Sequence, residues 1–212
     1  MRLLTLVSFL AMAVIAFSTP SHATARSDLS YTVLRNGDPI GSHGYSFKED
    51  GGRLVVDINT DIKVKVAFLT VYRFEHQASE EWHRGKLVST TSVTNDDGEN
   101  HKLKVSFGGS NLKIDGDGKK SVAAYGSMPA SLWHPDTVKN SVLLNTLDGT
   151  MMSVKVDELG PEQVKVKGHD VSAQHYRLTG DLERELWFDP SGTLVQVRFK
   201  GDDGSDISYV MR

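Results

Sequence analysis

Apolar and polar side chains alternate along most of the chain. Ile62, Val64 and Val66 alternate with Lys63 and Lys65, and Leu103, Val105 and Phe107 with Lys102, Lys104 and Ser106. A period of two places successive side chains on opposite faces, the signature of strands with one face on a core and one in water. The pattern recurs at Leu112 and Ile114, Val154 and Val156, Val164 and Val166, and Val195, Val197 and Phe199. Between these runs stand clusters such as Asn36-Gly37-Asp38, Asp50-Gly51-Gly52, Asp115-Gly116-Asp117-Gly118 and Pro190-Ser191-Gly192. Asn, Asp and Gly tolerate the positive φ of tight hairpins. The spacing predicts strands over 29–35, 40–48, 53–66, 68–79, 86–95, 100–107, 111–115, 150–158, 162–167, 171–179, 183–189, 194–200 and 205–211. The predicted fold class is all-β, an antiparallel meander forming a curved sheet, open barrel or clamp.

One segment breaks the alternation. Over 127–146, Ser127-Met128-Pro129 and Pro135-Asp136 predict a crossing loop with one short helical turn. Splitting the chain there would leave pieces of about 100 and 70 residues, too small to cover both faces of their own sheets, so 26–212 reads as a single domain. Lys104 to Gly116 and Lys155 to Gly168 resemble each other, a likeness that two-residue periodicity also produces by chance.

The first 25 residues follow other rules. Met1-Arg2 gives a positive start, Leu3 to Phe17 is uncharged and apolar, and Ala23-Thr24-Ala25 offers small-x-small to a signal peptidase. The reading is a secretory signal cleaved after Ala25 and a periplasmic product with no transmembrane anchor in the mature chain, since the apolar run falls short of the ~20 residues that span a bilayer. Cleavage would leave 187 residues with 23 basic and 27 acidic side chains, a mildly acidic balance that disfavours nucleic acid as a partner. Cysteine is absent, which removes disulfides, thiolate chemistry and N-terminal lipidation. A membrane barrel is disfavoured by the many outward Lys, Asp and Glu and by the ending Tyr209-Val210-Met211-Arg212.

Local motifs for catalysis are scarce. His76, Glu80 and His83 have the spacing that would gather metal ligands on a helix, but on a strand His76 and Glu80 share a face while His83 points away. His76, Glu80 and His83 read as exposed strand and turn polar groups, and His43, His101, His134, His169 and His175 are scattered singly. Ser110 and Lys113 match an S-x-x-K pattern at a Gly-Gly turn, a geometry unlike the helix that chemistry uses. Asn95, Asp97 and Glu99 start like a calcium loop, yet Asn100 and Ser106 stand where Gly and Glu are required. No metal or cofactor is expected from local sequence.

The aromatics are more informative. Trp82, Trp133 and Trp187 each stand beside a polar or charged neighbour. Trp187, within an alternating hairpin, is expected in the core, its indole N–H bonded. Trp133 lies in the irregular segment, and with His134 is expected at the rim of a ligand-binding site, outside the central core.

Glu185-Leu186-Trp187-Phe188-Asp189-Pro190-Ser191-Gly192-Thr193-Leu194-Val195, with Tyr31-Thr32-Val33 and Gly37-Asp38-Pro39-Ile40-Gly41, resembles a family of exported proteobacterial β proteins of unknown function. More distantly the chain resembles periplasmic lipoprotein carriers with curved open barrels. That resemblance implies a concave sheet able to hold an acyl chain, although the chain lacks the long apolar helix that plugs a carrier's groove. The expected function is a non-catalytic binding module for a hydrophobic or lipid-like ligand. The alternatives are a hydrolase or metal-dependent enzyme whose site is not legible locally, and an envelope scaffold with a protein partner.

Overall fold

The computed structural model describes residues 26–212, so the predicted signal segment lies outside the described residues. Among the described residues fifteen strands follow one another with a single 3-10 turn at Pro135–Lys139. They are β1 (Leu29–Arg35), β2 (Asp38–Asp50), β3 (Arg53–Val66), β4 (Leu69–His83), β5 (Lys86–Asp96), β6 (Glu99–Phe107), β7 (Asn111–Gly116) and β8 (Lys119–Ala124). After these come β9 (Met128–Pro129), β10 (Val142–Leu144), β11 (Met151–Val166), β12 (His169–Gly180), β13 (Arg184–Phe188), β14 (Leu194–Lys200) and β15 (Asp206–Met211). All form one sheet, in the order β8 to β1, then β15 down to β9. Among the described residues only β9 and β10 pair parallel. Because β1 pairs with β15, the first and last strands are neighbours in the middle of the sheet. The free edges, β8 and β9, are joined by Tyr125, Gly126 and Ser127. The result is a barrel-like sheet that is not closed by hydrogen bonds.

Most predicted strands form where the alternation places them, and three differences have local causes. Lys119 to Ala124 is the edge strand β8, missed because five of its six residues are Lys, Ser and Ala and leave Val122 as its one large apolar side chain; lysines on an edge strand protect it from further pairing. Leu159-Gly160-Pro161 is not a turn. It is a bulge inside the long strand β11, with Gly160 at φ +95 and the register shifting between Glu158 and Gly160. A bulge accommodates a proline that has no N–H for the ladder. Within 127–146 the expected helical turn is the 3-10 turn at Pro135–Lys139, and the short strands β9 and β10 on either side of it stand where only a loop was expected.

That segment, continued to Thr150, does not simply cross one end. It runs inside the curved sheet as a plug. Leu143, Leu144 and Thr137 are fully buried. The Tyr45 hydroxyl donates to the Ser131 carbonyl at 2.6 Å, and the Ser92 hydroxyl to the Thr146 carbonyl at 2.6 Å. At Gly116 on β7, a Cβ would stand 1.7 Å from the Asp148 carbonyl oxygen, so only glycine lets the plug backbone approach there. A sheet of this many strands encloses more space than its own inward side chains fill. The plug supplies the remainder of the core.

Candidate functional site

The pairing register stacks the inward faces of β2 to β6 in layers. In one layer, His43 pairs with Thr60, Thr60 with His76, His76 with Thr94 and Thr94 with His101. His43 Nδ1 and Thr60 Oγ1 share a hydrogen bond of 2.7 Å, as do His76 Nδ1 and Thr94 Oγ1. Burial lowers His43 to about 3, with nearby His76 adding to the effect, and burial lowers His76 to about 4. Both imidazoles are therefore neutral at physiological pH. Two residues along each strand lies Tyr45–Ile58–Ala78–Ser92, and beyond it Phe47–Val56–Glu80–Thr90–Val105.

Glu80 is fully buried (0% exposed). Its Oε2 accepts the indole N–H of Trp82 at 3.0 Å and that of Trp133 at 2.9 Å. Its Oε1 and the Thr90 hydroxyl, its cross-strand neighbour, have no hydrogen-bond partner among the described residues. Desolvation raises the Glu80 pKa above its ordinary 4.5, against the pull of the Trp133 hydrogen bond. Strand parity correctly puts His76 and Glu80 on one face with His83 exposed on the other, but both inward groups are buried and not exposed as the sequence reading had them.

Trp133 is not at a rim. It is 1% exposed and belongs to the main core, its ring 5.2 Å from Trp82 and 5.3 Å from Phe47. The proline-flanked segment was read as a surface crossing, whereas the plug turns it inward, where the carboxylate of Glu80 receives the indole. His134, half-buried, stacks on Trp82 at 5.3 Å and accepts the Asp136 backbone N–H at 3.1 Å, capping the 3-10 turn. Trp187 is fully buried as expected, donating to Glu162 at 2.9 Å and stacked on His175 at 4.0 Å. Polar side chains of the would-be calcium loop serve hairpins: Asn95 Oδ1 accepts the Gly98 N–H and Asp97 Oδ1 the Arg73 N–H.

Two concavities stand out. A depression of about 800 Å³ lies over β1 to β5, with Asp28, Ser46, Asp57, Asn59, Gln77 and Thr91 in its lining. Polar side chains of that kind give an apolar ligand little to bind. A second cleft, of about 580 Å³, opens at the end of the sheet between the β3–β4 hairpin and the β14–β15 turn. Its walls include Ile62, Val64, Tyr72, Phe74, Phe199 and Tyr209, with the plug contributing Leu147. Phe74 and Tyr209 lie 6.3 Å from His76 and 5.0 Å from His43, so the neutral imidazole layer backs this cleft. At its mouth Arg35 is paired with Asp203, and the Tyr72 hydroxyl donates to Asp96 at 2.8 Å. Arg184 reaches into the wall with its guanidinium carbon 3.8 Å from the Phe199 ring centroid. The β3–β4 hairpin extends past the cleft, leaving Val66 and Leu69 exposed and Phe68 wholly so (100%).

The cleft escaped the sequence reading because its residues come from both ends of the chain. The one available signal was parity: Ile62 and Phe74 share the inward face with Thr60 and His76. Among the described residues, no group of three or more His, Cys, Asp or Glu is placed to hold a metal ion, and no helix is long and apolar enough to cross a membrane.

A search of curated proteins gives no match. Among solved structures, the chain is similar to a β-barrel-like protein of another domain of unknown function, DUF1849, from Brucella abortus, with a TM-score of 0.60 over 87% of this chain and 94% of that one. At 8% identity that likeness concerns the fold alone. The profile of a domain of unknown function, DUF6134, matches residues 31–212. The match takes in nearly all of the described chain, and the protein belongs to the DUF6134 family.

Proposed function

We propose that this protein is a periplasmic binding module for a hydrophobic, lipid-like ligand, and that the ligand occupies the end cleft. The observation that carries this reading is the lining: aliphatic and aromatic side chains from β2, β3, β4, β14, β15 and the plug form most of the wall around about 580 Å³, and charged side chains, among them Arg35, Asp96, Asp202 and Asp203, form much of the rest. That lies within the ~300–1,000 Å³ common for small-molecule sites, which are mostly apolar with a few placed polar groups. Trp133 and His134, the first candidates from sequence, lie about 20 Å of strand away, since Glu80 is six residues from Phe74 along β4. In this reading they hold the plug in place and do not touch the ligand.

The test is fluorescence enhancement of the neutral probe N-phenyl-1-naphthylamine. Saturable binding is expected, weakened by Val71→Asp, which puts a charge on a partly exposed cleft wall without disturbing the core. Loss on His134→Gln with no change on Val71→Asp would move the site to the sequence-based candidates. No binding by the unmodified protein would leave the envelope scaffold or an enzyme as the better readings.

A further inference from the structure

We propose that Arg184 makes the end cleft selective for single-chain amphiphiles with an anionic head, a carboxylate or a phosphate monoester. This rests on the cleft being the ligand site and specifies which ligand it takes.

The cations around Arg184 already have partners. Arg35 pairs with Asp203, Lys200 with Asp206, and Arg177 and Arg198 both with Glu185. Among the described residues, Arg184 has no carboxylate within 4.0 Å. Among the described residues its side chain makes one hydrogen bond, from Nη1 to the Glu183 carbonyl at 2.7 Å, and its guanidinium lies on the Phe199 ring. Arginine has five N–H donors in a planar fork, so most of this one is unused by the protein. The acids facing it are Asp202, in the β14–β15 turn, and Glu183, both beyond ion-pair reach, and the Tyr209 hydroxyl is the other titratable group beside it.

Arg184 points inward because strand parity requires it. It pairs with the buried Leu178 and shares the face of Leu186, while Glu185 on the opposite face takes the two outer arginines. A guanidinium held among apolar groups with a free fork suits a bidentate oxyanion. The surrounding Ile62, Phe74 and Phe199 would take the attached chain. A neutral apolar ligand would satisfy the walls and leave the fork unmet. A small inorganic anion would do the reverse.

Competition against N-phenyl-1-naphthylamine with dodecanoate, dodecyl phosphate and dodecanol tests this. The unmodified protein should bind at least one of the two acids about tenfold or more tightly than dodecanol, the order expected for a charge-assisted hydrogen bond. Whichever acid is preferred identifies the head. Arg184→Met should bring the acids to the affinity of dodecanol, and Arg184→Lys, which keeps charge but not the fork, should retain part of the preference. Equal affinity of the unmodified protein for acid and alcohol would overturn the proposal while leaving the cleft reading intact, and this comparison needs no variant to fold. An acid preference that survives Arg184→Met would also overturn it. Failure of the probe and of all three competitors to bind would instead sink the cleft as the site.

Discussion

Glu80 is the group whose replacement discriminates most sharply between accounts of the core. Its single Oε2 serves both Trp82 and Trp133, one on the sheet and one on the plug, so the carboxylate fastens the plug to the wall. Glu80→Ala strands two buried indole donors. At roughly 1–3 kcal/mol for each unsatisfied buried group, the loss should be about 2–6 kcal/mol, with a cavity contribution in addition. Glu80→Gln keeps an oxygen able to accept both N–H groups and cannot ionise. Its behaviour with pH follows from linkage. The folded-state pKa of Glu80 is raised by burial, so the native chain holds its proton to higher pH than the unfolded chain does. The stabilisation this gives is complete below the ordinary carboxylate range near 4.5 and is lost as pH rises toward the folded-state value. Relative to the unmodified protein, Glu80→Gln should therefore gain stability with rising pH across that window, by at most ~1.4 kcal/mol per pH unit. Urea unfolding of the three proteins at several pH values measures all of this. A Gln variant as unstable as the Ala variant at neutral pH, or an Ala variant losing less than about 1 kcal/mol, would refute the indole-anchor argument.

His43 and His76 titrate with the opposite sign: their folded pKa values of about 3 and about 4 lie below the ordinary 6.5, so stability present above pH 6.5 should fall as the solution is acidified. His76→Gln should reduce the slope of unfolding free energy against pH between about 6 and 4 by about one proton's worth, ~1.4 kcal/mol per unit, read from the same urea series. Gly116→Ala must push its Cβ against the Asp148 carbonyl and should cost about 1–3 kcal/mol, seen as a lowered Tm. Trp133→Ala and Trp187→Ala should each cost about 3–5 kcal/mol, since both indoles are buried; a much smaller loss for Trp133 would return it to the rim. Phe68→Ser should leave Tm unchanged within error, because a wholly exposed side chain has no burial to lose.

The sequence by itself determined the strands, their faces and most of the turns. These are local properties: alternation at Ile62, Val64 and Val66 fixes a face wherever that strand ends up, and Asn36-Gly37 accepts positive φ at both residues whatever surrounds the turn. Parity even separated His76 and Glu80 from His83. What only the tertiary structure decided is which inward rows meet and what fills the space between them. Register brings His43 beside Thr60 and His76 beside Thr94, although each pair is 17 or 18 residues apart. Curvature of the whole sheet leaves an interior that its own strands do not fill, and this draws in 127–150, burying a tryptophan that local sequence placed at the surface. The end cleft joins Ile62 and Phe74 to Phe199 and Arg184 because β1 pairs with β15 and brings the two ends of the chain together. Alternation specifies one bit per residue, inside or outside, and contains no information about distance across the enclosed space.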